Sequence, residues 1–279
     1  MPQHVEVDPV GAAAASLARR TGLRLPAGSR TRLHDSMVAR AERMTDGDLD
    51  AYVETLEWDP DEIDALFDLV AVGQTAFWRH PHLFDALEDC ILAGRAARSE
   101  LHLVSAGCST GEEAWTLAAC AAARLGSAAF RVTAIDWCRD ALALGREARY
   151  RTDALAGMPD RYRRWFESAE EGGADVTGPR QVLRERVAFM RANLLRPVTA
   201  IEPADVVLFC NVGIYFDKAA TESVVANLAA LLRPGGYLFL GAAESLWGLE
   251  HDLELVEVGE VFAYRRPRPT AGLAPPTPP

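Results

Sequence analysis

Residues with chemical potential cluster in the run from Ser105 to Glu113, Ser-Ala-Gly-Cys-Ser-Thr-Gly-Glu-Glu, which leads from a short apolar stretch into the helix-forming Ala114–Arg124. Glycine at a strand-to-helix turn lets backbone approach a ligand closely, and doubly wound sheets bind nucleotides at the carboxyl ends of their strands. Gly107 is therefore a candidate contact for a nucleoside, although a purely structural turn would carry the same glycines. The run lacks the G-x-G-x-x-G spacing, and Glu112 and Glu113 are poor company for phosphate, so a nucleoside without phosphates is favoured over a dinucleotide. Asp136 closes the next apolar stretch, where a carboxylate can accept hydrogen bonds from both ribose hydroxyls. Its other reading, as the N-cap of a helix over Asp140–Tyr150, falls more naturally to Asp140. Acidic side chains also suit a cation, and S-adenosylmethionine carries both a sulfonium and an ammonium.

A wound sheet is what would bring these residues together. Leu101–Ser105, Arg131–Ile135, Val187–Met190, Val206–Cys210 and Tyr237–Leu240 read as strands separated by helical stretches, which predicts a parallel sheet with crossover helices. Leu253–Val258 and Val261–Tyr264 flank Gly259-Glu260 and predict an antiparallel hairpin at the edge. The polar stretch Ser168–Pro179 reads as an excursion holding short strands. Up to about Leu92 the periodicity is helical instead, with a turn at Leu25-Pro26-Ala27-Gly28, a break at Thr45-Asp46-Gly47 and a helix start at Asp59-Pro60-Asp61-Glu62. The expected organisation is an α/β protein with a small all-α domain over residues 1–84, a sheet domain over 85–265, and a disordered Pro-rich tail over 266–279.

Composition narrows the class. At 279 residues, with 49% hydrophobic and 25% charged residues, the chain matches ordinary soluble globular usage. The 29 basic and 40 acidic side chains give a net charge of −11, which repels a phosphate backbone and makes nucleic acid a poor partner. No apolar run reaches the roughly 20 residues that span a bilayer, and no secretory pattern opens the chain, so a cytoplasmic protein without membrane insertion is expected. Five cysteines, an odd number without a C-x-x-C pair, predict reduced thiols and no zinc site, and His80-x-His82 lacks further ligands for a metal. Charge is unevenly distributed. Arg19, Arg20, Arg24, Arg30, Arg32, Arg40 and Arg43 stand against only Asp35 and Glu42, whereas Asp46 through Asp68 contains no Lys or Arg. The basic part is a candidate docking face, its alternative a solvated helix surface.

Five motifs, Phe77-Trp78-Arg79-His80-Pro81, Ser105–Glu113, Asn193-Leu194-Leu195, Asn211–Lys218 and Leu232–Leu246, resemble in order and spacing those of the CheR family of chemotaxis receptor methyltransferases. The resemblance runs from about Leu17 to Tyr264. It implies a class I Rossmann-like methyltransferase fold, S-adenosylmethionine as cofactor with S-adenosylhomocysteine as product, and methyl ester formation on glutamates of chemoreceptor cytoplasmic helices; docking through the basic N-terminal face is a further expectation, and a monomer is one reading of an oligomeric state the sequence does not set. By motif, it implies that Thr75 and Arg79 line the cofactor pocket, that Glu113 and Asp136 are its acidic contacts, that Asn193 and Leu194 lie beside adenine, and that Asn211 opens the segment carrying Tyr215. Arg79 and Tyr215 become the candidate catalytic pair, Arg79 to orient a carboxylate and Tyr215 to position acceptor or methyl. From the residues alone, Tyr215 reads equally as core packing and Arg79 as a surface group.

Three positions depart from the family pattern. Gly73 replaces an Asn in the cofactor segment, Cys210 an Arg before Asn211, and Gly213 a bulky apolar residue. The thiol of Cys210 cannot stand in for a guanidinium. These departures keep open two further readings, a methyltransferase for a small metabolite and a non-catalytic S-adenosylmethionine-binding module. Some family members also tether to a receptor's carboxyl-terminal peptide through a small β-subdomain, which corresponds here to about residues 157–187.

Overall fold

A computed structural model describes residues 8–71, 73–92, 100–126 and 129–269. Four helices open the chain: α1 (Pro9–Thr21), α2 (Arg30–Met44), α3 (Leu49–Trp58) and α4 (Pro60–Val70). Their limits follow from local chemistry. Gly22, at φ 75°, ends α1 in the left-handed conformation, while the Asp48 and Asp59 carboxylates accept the free amides at the starts of α3 and α4. Leu33, Met37 and Ala41 recur along one stripe of α2, and Ile63, Leu66, Phe67 and Val70 along one of α4, closing over Leu17 and Tyr52. Cys138 and Ala141, from the sheet region, complete this core.

The chain then runs through α5 (Pro81–Ala86) into β1 (Leu101–Ala106), α6 (Glu112–Leu125), β2 (Phe130–Asp136), α7 (Arg139–Glu147), β3 (Tyr150–Arg151), α8 (Asp160–Arg163), β4 (Phe166–Glu171), β5 (Ala174–Pro179), α9 (Gln181–Arg184), β6 (Val187–Arg191), β7 (Ala204–Phe209), α10 (Lys218–Leu231), β8 (Leu232–Leu240), β9 (Glu254–Val258) and β10 (Val261–Arg265). Seven strands form one sheet in the order β6-β2-β1-β7-β8-β10-β9. The first five of these are mutually parallel, and β10 joins antiparallel to both β8 and β9. Every residue of β1 and β7 is buried, as expected of strands covered on both faces. Strand order reverses between β1 and β7, and an open α/β sheet binds ligands at such a switch point. The polar excursion forms a separate antiparallel sheet, β3-β5-β4.

Several expectations need correction. Cys210 lies just beyond β7, and β8 begins five residues earlier than expected, at Leu232. Asp140 does not cap α7. The Asp136 carboxylate accepts the Cys138 amide at 2.9 Å and Asp68 the Arg139 amide at 2.9 Å, so acids from two other elements hold that helix start. Arg266, assigned to the tail, instead exchanges backbone hydrogen bonds with Gly235 and Gly236; residues 270–279 of that tail lie outside the described residues. The basic block is largely neutralised: Arg19 pairs with Glu57, Arg20 with Asp64, Arg24 with Asp217, Arg30 with Asp8 and Arg40 with Glu62. Arg32 and Arg43 form no ion pair among the described residues. The acidic stretch 46–68 is thus a main partner of the basic one, because helix packing brings the two together.

Candidate functional site

The switch point opens into a cavity of about 310 Å³, within the usual range of ligand pockets. Four strand ends supply its walls. β1 leads into Gly107, and α6 presents Glu113 from its first turn; β2 ends on Asp136; β6 leads to Asn193 and Leu194; β7 leads to Cys210 and Asn211, with Tyr215 in the following turn. The connector after α4 closes another side with Gly73, Thr75 and Arg79. Every site residue expected from the sequence borders this one cavity.

The backbone around it is shaped for close approach. Gly107 sits at φ 84°, and a Cβ there would meet Val212 at 2.3 Å. Its amide and that of Cys108 both donate to the Ile135 carbonyl, tying the ends of β1 and β2 together. The Asp136 carboxylate accepts the amides of Ser109 at 2.8 Å and Cys138 at 2.9 Å. Two lone pairs on each oxygen leave it capacity for ribose hydroxyls. Burial raises the Asp136 carboxyl above the ordinary range, against the lowering effect of these amides.

Glu113 accepts from the Ser105 hydroxyl at 2.6 Å and is pushed up to about 7, chiefly by burial. Cys210 lies close to it, and burial holds this thiol well above its usual range, so it remains protonated. Arg79 donates to the Gln74 carbonyl at 2.7 Å and is exposed, leaving further guanidinium donors for an acceptor. Asn193 spends its amide on structure: its Nδ2 donates to the Arg20 carbonyl at 3.0 Å and its Oδ1 accepts the Leu195 amide at 2.9 Å. Asn211, at φ 61°, accepts from or donates to the His80 ring at 2.8 Å, according to the tautomer and amide orientation, while its backbone amide donates to Glu244. His80 and His82 reach different partners, Asn211 and Glu260.

Residues beyond the sequence reading complete the walls. Leu23, Arg24, Leu25 and Pro26 line the cavity because Leu23 bridges to Phe216 and the Arg24 amide donates to the Tyr215 carbonyl at 2.6 Å. Trp137 lines it beside Asp136, and an aromatic residue directly after a strand-end acid was a usable signal. Ser109, at φ 49°, lines it too. A Cβ on Gly73 would lie 2.6 Å from the Ser109 Oγ, so a larger side chain at position 73 would have to displace that hydroxyl.

These features fit S-adenosylmethionine. Two carboxylates suit its positive groups and ribose, and the Ser109 Oγ and Trp137 Nε1 at the cavity wall are buried without a hydrogen-bond partner among the described residues, which a polar nucleoside would supply. The family model for the CheR methyltransferase, SAM binding domain, matches residues 73–262. The chain belongs to the CheR methyltransferase family. Its cofactor is accordingly S-adenosylmethionine, and the wound sheet with its helical N-terminal region is the Rossmann-like methyltransferase fold.

Among CheR-related proteins, the "Probable biofilm formation methyltransferase WspC" of Pseudomonas putida is 34% identical over 226 residues, covering 78% of this chain and 52% of that protein. The chain therefore spans about half the length of the first curated relatives it matches. A chemotaxis protein methyltransferase of Salmonella typhimurium is 30% identical over 243 residues, covering 85% of this chain and 83% of that protein. That of Escherichia coli is 30% identical over the same length. No helix among the described residues is long and apolar enough to cross a membrane.

Proposed function

We propose that the chain transfers a methyl group from S-adenosylmethionine to glutamate side chains on the cytoplasmic helices of a chemoreceptor-like protein, forming glutamyl methyl esters, and that it acts in the cytoplasm as a monomer. The observation that carries this reading is the placement of Arg79 and Tyr215 on the same cavity as Glu113 and Asp136. The cofactor supplies an activated methyl on positively charged sulfur. Glu113 would hold its ammonium and Asp136 its ribose, and Leu23–Pro26 with the Tyr215 turn would keep water from the cavity. An acceptor glutamate is already ionised at neutral pH, so Tyr215 need not remove a proton. Arg79 pairs with the acceptor carboxylate and Tyr215 sets its approach, so catalysis rests on in-line placement and exclusion of water.

A protein acceptor is supported by the surface beside Tyr215. Ile214 is 59% exposed and Trp247 is 93% exposed, and both border a hollow lined by Gly213 and Phe209. Exposed apolar groups beside a reaction site suit a protein partner. Arg32 and Arg43, unpaired among the described residues, are the groups we assign to docking on acidic receptor helices. A second reading, a small-metabolite acceptor, draws on Cys210, a thiol at the position where the family pattern has an Arg. Purified protein with radiolabelled cofactor and receptor-containing membranes tests the choice. Base-labile label on a receptor polypeptide is expected, and label confined to small molecules overturns it.

A further inference from the structure

Asp64, on α4, is 3% exposed, yet its carboxylate serves two arginines from different parts of the chain. Its Oδ2 accepts from Arg191 Nη2 at 2.7 Å, at the end of β6, and its Oδ1 lies 3.4 Å from Arg20 Nε, at the end of α1. Both guanidinium groups also lie over the ring of Trp137, Arg191 at 4.1 Å and Arg20 at 5.6 Å from its centre. Arg191 Nε further donates to the Trp137 carbonyl at 3.1 Å, and the Arg20 carbonyl accepts from Asn193. Trp137 and Asn193 both line the cavity. One buried carboxylate of the helical bundle thus pairs with two arginines that contact two wall residues at the strand ends of the sheet.

We propose that Asp64 is a positioning residue for the cofactor site: by neutralising and holding Arg20 and Arg191 together, it fixes Trp137 and Asn193 and so makes cofactor affinity depend on how the helical bundle seats on the sheet. Two guanidinium groups over one aromatic ring repel each other in a partly desolvated space, and a nearby anion offsets that repulsion. Without that anion, the Asp136-Trp137 corner relaxes and the nucleoside end of the cavity loses its shape. Arg20 and Arg191 act through Trp137 and Asn193, not on the reacting atoms.

The inference rests on the cofactor assignment, and calorimetry with S-adenosylhomocysteine separates the two. Absence of binding to the unaltered protein would overturn the assignment itself. With binding established, Asp64→Asn is expected to weaken S-adenosylhomocysteine by about 10-fold or more, with kcat at saturating cofactor changed by less than about 2-fold. Ligand addition is also expected to alter tryptophan fluorescence, a change lost in Trp137→Phe and diminished in Asp64→Asn. A purely structural Asp64 would lower the melting temperature without moving the dissociation constant, and that result overturns the proposal. Should Asp64→Asn not fold, Arg191→Lys decides: it keeps the charge at a partly exposed site and loses the planar fork over the ring. About 3- to 10-fold weaker binding with native near-ultraviolet circular dichroism is the expected outcome, and unchanged affinity refutes the inference.

Discussion

Burial pushes the Glu113 carboxyl up to about 7, so at neutral pH it is only partly in the ionised form that attracts an ammonium. Affinity for S-adenosylhomocysteine, which keeps the ammonium, should therefore rise as pH increases from about 6 to 8. Stability changes the other way. Unfolded Glu113 releases its proton near the model-peptide value of 4.5 while the folded group keeps it up to about 7, so its contribution to stability falls between those values and levels off above. Glu113→Gln is expected to weaken S-adenosylhomocysteine about 10- to 100-fold, the equivalent of one charge-assisted hydrogen bond, and to flatten the pH dependence measured by calorimetry. The buried thiols supply a second test. Burial raises Cys108, Cys120 and Cys210 well above the usual thiol range and Cys138 to about 11. Native protein at neutral pH should therefore leave these four unmodified by iodoacetamide in a peptide-mapping experiment, and denaturant should open all of them to alkylation.

Among the elements, the turn between β1 and α6 tolerates least. Gly107→Ala adds a Cβ at φ 84° and 2.3 Å from Val212, and should abolish ligand binding and cost about 1–3 kcal/mol in stability by denaturant titration. Gly157→Ala, with nothing within 4 Å of the added atom, should change neither. The parallel strands were legible because short apolar runs alternate with helices, and the strand-end residues were legible because chemistry in such a sheet gathers there. The start of β8 was not: Leu232-Arg233-Pro234-Gly235-Gly236 has the composition of a turn, but Gly235 takes φ 82° within an extended run and Arg266 supplies its hydrogen bonds. Leu23–Pro26 has a turn's composition as well. Its place on the cavity comes from pairing with Tyr215 and Phe216, a contact across most of the chain that no local pattern announces. Asp140 lost the capping role for a partly related reason, since Asp68, distant in sequence, takes the Arg139 amide while Asp136, at the adjoining strand end, takes that of Cys138.

Across the whole molecule, ion pairs of unequal depth join the bundle to the sheet and the bundle to itself. Asp68 is 8% exposed and accepts both the amide and the Nε of Arg139, whereas Arg30 and Asp8 meet in the open. Asp68→Ala leaves a helix start and a guanidinium without their anion and should lower stability by about 1–3 kcal/mol. Arg30→Ala should leave the melting temperature unchanged within error, because solvent already screens that pair. Paired scanning calorimetry of the two variants checks the ordering. The charge segregation so visible in the sequence is therefore mostly consumed in assembly, which the spacing of charges along a chain cannot disclose.

The division of that ionic seam also has a practical outcome. Severing the polypeptide after Val70 would leave Asp64 and Asp68 on one fragment and Arg139 and Arg191 on the other, so that Asp68 and both arginines lose their partners while Asp64 keeps only Arg20. Two such pieces carry matching halves of one electrostatic lock, so they should recombine faster in dilute buffer than in concentrated salt and recover nucleoside binding only on reassembly. A split reporter of this kind would turn a packing detail into a measurable switch.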